Sequence, residues 1–471
     1  MLSGIWMNLN NDLCIVHIGI DDFDAQNYGC TTHAATYLLH SLNNVYKIKL
    51  IDYPNLVRLN PSIPWKTRGN GAVSLRIAIE CDKIYNIVEY SEKILIEYLD
   101  KIAKFSRSLT DRDTEPGVVF ILNSIPLILK SIYIKALTDI LLPSIVIEKL
   151  LRHKNIILGN VFRSRGIVGA SAAIGWFLAE DDYTYEMLTY RSKEVYEKER
   201  CIDRESVKKF DEQMKNSTFN NIDSESGRIL IESHGMDPVL YGVRGEFPES
   251  VKMALNTIRV CEPITAWTIF RSNQGTDSHA IHRNIEDLRM YTTAKLHIVI
   301  ASKPEAISGG AVIVKAYDSS GSIDLAFFKP STLTDIALNL YIGDELIVQG
   351  HVKPWGKDMV FHVEKMQILN TATRYICRAP KCPICRKRME KIGWGKGYRC
   401  RECDVKIINP ELECKPVFRN VEHRLYLPPS RTQKHLIKPL SRYGREKIWR
   451  SPSKYIELYD VSQIIEPLRF L

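Results

Sequence analysis

Residues 13–20 form a largely apolar run, interrupted by His17, that ends in three carboxylates within four positions, Asp21, Asp22 and Asp24. A run of that length reads as a buried strand. The acids then stand at the strand's carboxyl end. Gly29 permits a tight turn, and Thr31 or Thr32 stands where an N-cap would open a helix over 34–42. Three such carboxylates cannot all ionise without a cation. Mg²⁺ suits them, since it takes hard oxygen ligands and shares its shell with phosphate. The helix start adds N–H groups and a positive dipole end for an anion. Strand, acids, turn and helix together point to phosphoryl transfer, although an acidic loop before a capped helix would look the same.

Composition narrows the class. At 471 residues the chain is too long for one core and predicts three or more domains. Its 45% hydrophobic and 25% charged content is that of a globular protein and excludes a disordered chain. No apolar run reaches membrane-spanning length, and the stretch 142–151 is broken by Glu148 and Lys149. No basic segment followed by an apolar core opens the chain, so a cytoplasmic protein with no membrane partner is expected. Four of the eleven cysteines share a paired spacing, which favours metal over disulfides. The net charge of +9 is uneven: residues 374–454 hold 22 Lys and Arg against 7 Asp and Glu, a balance of +15, leaving −6 elsewhere. That asymmetry predicts a basic end for nucleic acid and a separate chemical end.

Residues 1–183 read as an α/β unit with strands over 13–20, 73–79 and 118–122 and helices over 34–42, 84–99 and 166–177. The Pro- and Gly-rich segment 58–71 between the first strands predicts a rigid loop. Its Lys66 and Arg68 stand beside Gly69, Asn70 and Gly71, an arrangement able to wrap phosphate with backbone N–H groups and two cations. The helix over 166–177 is crowded with Gly and Ala, which predicts close backbone approach. Residues 184–290 read as a second α/β segment, with strands over 228–233 and 266–271 and a helix over 248–259. Its polar loops 238–246 and 272–279, holding Arg244, Glu246 and Asp277, are candidates for lining a small-molecule pocket.

Residues 291–371 predict three strands, a helix and two strands, the order of an OB-fold, whose open face often binds oligonucleotides. A small sheet of other topology is the alternative. Cys382-Pro-Ile-Cys385 and Cys400-Arg-Glu-Cys403 are two C-x₂-C pairs fourteen residues apart, the spacing of a closed tetrahedral thiolate site for structural Zn²⁺. The resulting ribbon, over 376–408, is basic through Arg386, Lys387, Arg388, Lys391 and Lys396, and a basic tail follows over 409–471. Cys377 and Cys414 flank the ribbon and fall outside its pairing.

In order along the chain stand Ile18-Gly-Ile-Asp-Asp22, Gly29-Cys-Thr-Thr32, Arg58-Leu-Asn-Pro61, the segment 63–73, Leu240-Tyr-Gly-Val-Arg-Gly-Glu246, Thr276-Asp-Ser-His279, the paired cysteines, Pro428-Pro-Ser-Arg431 and His435-Leu-Ile-Lys-Pro439. With these the chain resembles, over nearly its whole length, the archaeal tRNA-isoleucine 2-agmatinylcytidine synthetase family. The resemblance implies a multidomain α/β plus all-β protein: a kinase-like ATP-binding domain over 1–183, a ferredoxin-like domain over 184–290, an OB-fold, a zinc ribbon and a basic tail. It implies a ligase that uses ATP to join agmatine to the wobble cytidine of the isoleucine tRNA with a CAU anticodon, releasing AMP and two phosphates. Asp21, Asp22 and Asp24 would hold Mg²⁺ and ATP, and Thr31 matches a threonine that the family phosphorylates on itself. Lys66 and Arg68 suit the phosphates, and Glu246 is the candidate carboxylate for agmatine's guanidinium. Phe23 stands where the family has Thr.

Two other readings compete. A non-catalytic OB-fold and zinc-ribbon nucleic-acid binder leaves the acid cluster unexplained. A haloacid-dehalogenase-like phosphatase fits Asp22-Phe-Asp24 after an apolar strand, but that class places Thr or Val where Gln26 stands.

Overall fold

The computed structural model describes residues 13–24, 29–67, 69–103, 114–233, 235–449 and 458–467. The first half is an antiparallel sheet with β1 (Leu13–Asp21), β2 (Asn55–Arg58), β3 (Gly71–Glu80), β4 (Gly117–Leu122) and β5 (Ile156–Arg163), in the order β5-β4-β1-β3-β2. Strand alternation gives β1 two covered faces. Val16, Ile18 and Ile20 enter one core with helices α1 (Thr31–Tyr46) and α2 (Ile84–Ala103). The opposite face of the sheet packs on α3 (Ile128–Thr138) and α4 (Ile167–Gly175). A Cβ at Gly19 would lie 2.2 Å from the Ala170 carbonyl oxygen, so α4 lies directly on β1, as its small residues foretold.

The two α/β segments are not separate bodies. β2 pairs in parallel with β8 (Ile264–Ser272), and the sheet continues through β6 (Thr184–Arg191) to β7 (Val239–Gly245). The strand expected over 228–233 does not form; Ile229 and Glu232 make only isolated bridges, since charged and polar neighbours leave no apolar alternation to bury. The helix expected over 248–259 breaks into Pro248–Lys252 and Ala254–Thr257.

A second core fills a closed barrel of β9 (Thr293–Ile300), β10 (Val312–Tyr317), β11 (Ser322–Phe327), β12 (Glu345–Trp355) and β13 (Asp358–Asn370). β9 pairs with both β10 and β12, and β11 runs parallel to β13. The helix between β11 and β12 is one short turn, Leu333–Ala337.

Two corrections bear on function. Cys14–Cys81, Cys201–Cys261 and Cys377–Cys414 are disulfides, so the cysteines outside the paired cluster are mostly cross-links. Their partners lie 37 to 67 residues apart, a separation that no local spacing reveals. And the basic end is not a free tail. Leu425–Tyr426 pairs with β13, Leu436 and Ile437 are buried, and Ile465–Pro467 joins the edge of β8. Arg442, 1% exposed, pairs with Asp182 and Glu246, Arg431 with Asp223, and Arg419 with Asp344. Much of the +15 is thus spent on the acidic body, as a strap.

Candidate active site

β1 delivers its acids where the sheet opens. Asp21 ends the strand, Asp22 adopts φ 62°, and Asp24 bridges to Gly29, whose own φ is 70°. The turn returns the chain to α1. Cys30, not a threonine, is the N-cap, so Thr31 and Thr32 are the first helical residues. Thr31 Oγ1 donates to Asp24 Oδ1 at 3.2 Å and accepts from the Phe23 amide at 3.2 Å. Phe23 itself points into the core against Tyr98 and Phe162, away from the acids. Burial, then the charges of Asp22 and Asp24, push the Asp21 carboxyl well above the usual carboxylate range. Burial also raises Asp22, partly relieved by Arg165 at 2.9 Å. A Cβ at Gly169 would lie 1.9 Å from Asp21 Oδ2, so glycine there makes room for the carboxylate. Three crowded carboxylates, with Arg165 paired to Asp22, fit a hard dication.

These groups open on a cavity of about 1010 Å³. Asp21, Asp22, Asp24, Thr31, Thr32, Lys66, Gly69, Asn70, Gly71 and Arg244 all line it. Facing them is a wall that sequence reasoning missed. Glu186 on β6, 1% exposed, accepts from Arg58 Nη2 at 3.2 Å and from Arg244 Nε at 3.3 Å. The strap adds Lys434 and His435. The charge of Arg58, then burial, holds His435 well below the usual imidazole range, so it is neutral. The match at 435–439 was the available signal for this wall, yet nothing in it shows that a segment beyond the ribbon returns to the cavity. The expected separation of chemical end from basic end is therefore corrected.

Other expected residues lie elsewhere. Gly29 shapes the turn without lining the cavity. Glu246 does not line it either; Arg442 Nε bonds it at 2.5 Å and Lys447 lies 3.1 Å away, so its carboxylate is already committed to two cations. Asp277 pairs with Lys365 and accepts from the Lys438 amide, joining barrel to strap. Arg68 lies outside the described residues. The carboxylates at the β6–β7 end of the cavity are Glu186, Glu232 and Asp237. Asp237 pairs with Arg200, whereas Glu232 makes no ion pair among the described residues.

Cys382, Cys385, Cys400 and Cys403 bring their sulfurs within 4.8 Å of one another, which fits tetrahedral zinc. Met389, Cys382 and Cys400 form the buried centre of the ribbon, with Tyr398, Val405 and Ile407 partly buried against them, too little apolar material to hold it alone. Trp394, between Gly393 and Gly395, is 95% exposed at its tip.

A multidomain α/β protein with an acid-lined cavity and a Cys₄ ribbon is the class that these features define. Family models described as the TiaS TCKD domain, the TiaS FLD domain and the TiaS C-terminal zinc ribbon domain match residues 17–155, 164–279 and 379–421. The isoleucine-tRNA 2-agmatinylcytidine synthetase TiaS of Ignisphaera aggregans is 53% identical over 458 residues, covering 97% of this chain and 99% of that protein. Its counterpart in Staphylothermus marinus is 38% identical over 92% of this chain and 95% of that protein. Among solved structures, the complex of TiaS with its isoleucine tRNA and ATP aligns with a TM-score of 0.77 at 32% identity, over 94% of this chain and 99% of that one. The complex of TiaS with the same tRNA, AMPCPP and agmatine aligns with a TM-score of 0.75 at 30% identity, over 91% and 97%. The chain belongs to the isoleucine-tRNA 2-agmatinylcytidine synthetase family.

Proposed function

We propose that this chain is an ATP-dependent ligase that replaces the 2-oxo group of the wobble cytidine in the CAU-anticodon isoleucine tRNA with agmatine, releasing AMP and two phosphates. The observation that carries the reading is one cavity in which the acid cluster and Thr31 face a wall of cations and buried carboxylates. The family's relatives, solved with ATP, their isoleucine tRNA and agmatine, support the substrates.

The cytosine carbonyl at C2 is a poor electrophile, and its oxygen a poor leaving group. Phosphorylation of O2 by ATP cures both defects. Agmatine's primary amine adds to C2, the C2–O bond breaks, phosphate carries the oxygen away, and the amine's protons pass to base and solvent. One such transfer leaves ADP, so AMP and the second phosphate need a second P–O cleavage: Thr31 takes the other phosphoryl group, and water hydrolyses the phosphothreonine to free phosphate. The protein's share is positioning and charge stabilisation. Asp21, Asp22 and Asp24 would hold Mg²⁺, which when bound neutralises phosphate charge. The start of α1 offers Thr31 and Thr32 to an anion, and Lys66, Arg68 and the 69–71 loop take the remaining phosphate charge. Asp24, already accepting from Thr31, is placed to take the hydroxyl proton when Thr31 is phosphorylated. Glu232 replaces Glu246 as the carboxylate for the guanidinium, with Arg244 ordering the same wall through Glu186.

We read 1–183 as kinase-like, 184–290 as ferredoxin-like and 291–371 as an OB-fold. The barrel's strand order, closed by β9 against β10 and β12, supports the last. The ribbon, with its exposed Trp394, is read as a contact to unstacked RNA bases. A tRNA substrate supports a cytoplasmic location; no helix of the described residues is long and apolar enough to cross a membrane. AMP release from ATP that requires both the isoleucine tRNA and agmatine tests the reading. AMP formation indifferent to tRNA opposes it.

A further inference from the structure

Lys434 joins three parts of the molecule at one point. Its ammonium lies 2.8 Å from Glu364 Oε1 and 3.2 Å from His351 Nδ1, while the strap that carries it lines the reaction cavity. Glu364, on β13, is buried and bonded at both oxygens: His279 lies 3.1 Å from Oε2 and His351 Nδ1 3.0 Å from Oε1. Burial alone would raise that carboxyl, but Lys434 and the bonds from His279 and His351 outweigh it and hold Glu364 well below its usual range. Burial keeps His351 below its usual range. Lys434 Nζ stands 3.2 Å from Nδ1 and 3.3 Å from Nε2 of His351, so it rests against the imidazole ring rather than on the lone pair of one nitrogen. The barrel therefore grips this lysine through a carboxylate and an imidazole.

The gripped ammonium faces further cations. Lys66 is depressed by burial and then by Lys434, and Lys353 by burial, Lys434 and Lys66. His362, held down to about 4 by burial and the neighbouring cations, is neutral and brings no compensating charge. Lys66 and Lys353 thus stand close enough to Lys434 to be depressed by it, and Lys434 itself is held by Glu364. Elsewhere in the cavity Arg58 and Arg244 pair with Glu186, Arg165 with Asp22, and Arg431 with Asp223 and Glu225. Positive charge gathered at the rim where barrel, strap and the 61–67 loop meet suits a phosphate. Lys353 already ties that loop to the barrel through the Ser62 carbonyl at 2.9 Å.

We infer that Lys434 is a phosphate-binding group of the cavity and that Glu364 is a positioning residue, through which the barrel sets where that ammonium stands. The inference rests on the reading of the cavity as the ATP and tRNA site. The phosphate belongs either to ATP or to the tRNA backbone, and binding experiments separate the two. The probes are a non-hydrolysable ATP analogue with Mg²⁺ and the isoleucine tRNA transcript across a salt series, each with the full-length protein.

Lys434→Met should weaken one of these ligands by about tenfold or more, the cost of a lost charge-assisted hydrogen bond. Lys434→Arg should stay within about threefold of wild type, as a kept charge implies. Loss confined to the analogue assigns the triphosphate. Weaker tRNA binding, with a salt slope shallower by about 1, assigns a backbone phosphate. Glu364→Gln discriminates by sign. Removing a negative charge beside an anion site should tighten phosphate binding if Glu364 acts through charge alone, whereas the positioning role predicts weakening in the same ligand as Lys434→Met. Thermal melts show whether Glu364→Gln folds; if it does not, the two Lys434 variants decide. Unchanged binding of both ligands by Lys434→Met overturns the phosphate assignment, and tighter binding by Glu364→Gln overturns the positioning role. If wild type itself bound neither probe, the reading of the cavity would fail instead.

Discussion

Thr31 Oγ1 lies 3.2 Å from Asp24 Oδ1, with the hydroxyl as donor, at the first residue of α1. A hydroxyl that donates to a carboxylate beside a phosphate site is set up as an acceptor of phosphoryl groups. Thr31→Ala should abolish transfer of label from γ-³²P-ATP to the protein, while Thr31→Ser should retain it. Full labelling of the alanine variant would move the acceptor elsewhere, Thr32 first.

The role proposed for Asp21 has a consequence for stability. Its folded carboxyl favours the protonated form more than it does in the unfolded chain, because burial, Asp22 and Asp24 raise it. Between the ordinary value and the raised one the native state binds more protons, so this group's effect on stability becomes less favourable as pH rises through that window. Asp21→Asn should therefore stabilise the ligand-free protein at neutral pH, by about 1 kcal/mol, flatten that pH dependence, and abolish both turnover and stabilisation by Mg²⁺–ATP. A variant less stable than wild type at pH 7 contradicts the electrostatic account of the cluster.

Glu232 and Glu246 make opposite predictions. Glu232→Gln should raise the KM for agmatine by about tenfold or more, as expected on losing a charged hydrogen bond, with the melting curve unchanged. Glu246→Gln should instead lower stability by about 3 kcal/mol, because it leaves the buried Arg442 under-paired, with little change in KM. The reverse pattern would return Glu246 to the agmatine site.

How much of this was legible depended on distance along the chain. The apolar run of β1, the acids at its end and the C-x₂-C pairs are local, and the structure keeps them where the residues put them. The small residues of α4 likewise announced the close approach seen at Gly19. What stayed hidden was made by long-range pairing. Glu186 looks like any charge in a strand until Arg58 and Arg244 arrive from 128 and 58 residues away. The basic end looked like an RNA grip because a charge count does not show that Arg431 and Arg442 point inward at Asp223, Asp182 and Glu246. Glu246 was misplaced for the same reason.

Within the basic end, the exposed Lys and Arg are chiefly those of the ribbon, which makes its contribution separable. Trp394→Ala should weaken binding of the isoleucine tRNA by about tenfold, the lower range for loss of one stacked base, without changing the salt slope. Cys382→Ser with Cys400→Ser should release zinc and weaken tRNA binding while leaving ATP-analogue affinity intact, since the ribbon does not line the cavity. Absence of zinc from the purified wild-type protein, by atomic absorption, would contradict the structural site.

The central claim concerns one nucleoside, and mass spectrometry reads it directly. The wild-type protein is incubated with ATP, Mg²⁺, agmatine and the CAU-anticodon isoleucine tRNA, and the tRNA is digested to nucleosides. The account predicts that one cytidine is replaced by a species heavier by agmatine less one water, that AMP accumulates in equal amount, and that Asp21→Asn yields neither. Unmodified cytidine throughout, from protein shown to bind both ATP and the tRNA, would contradict it.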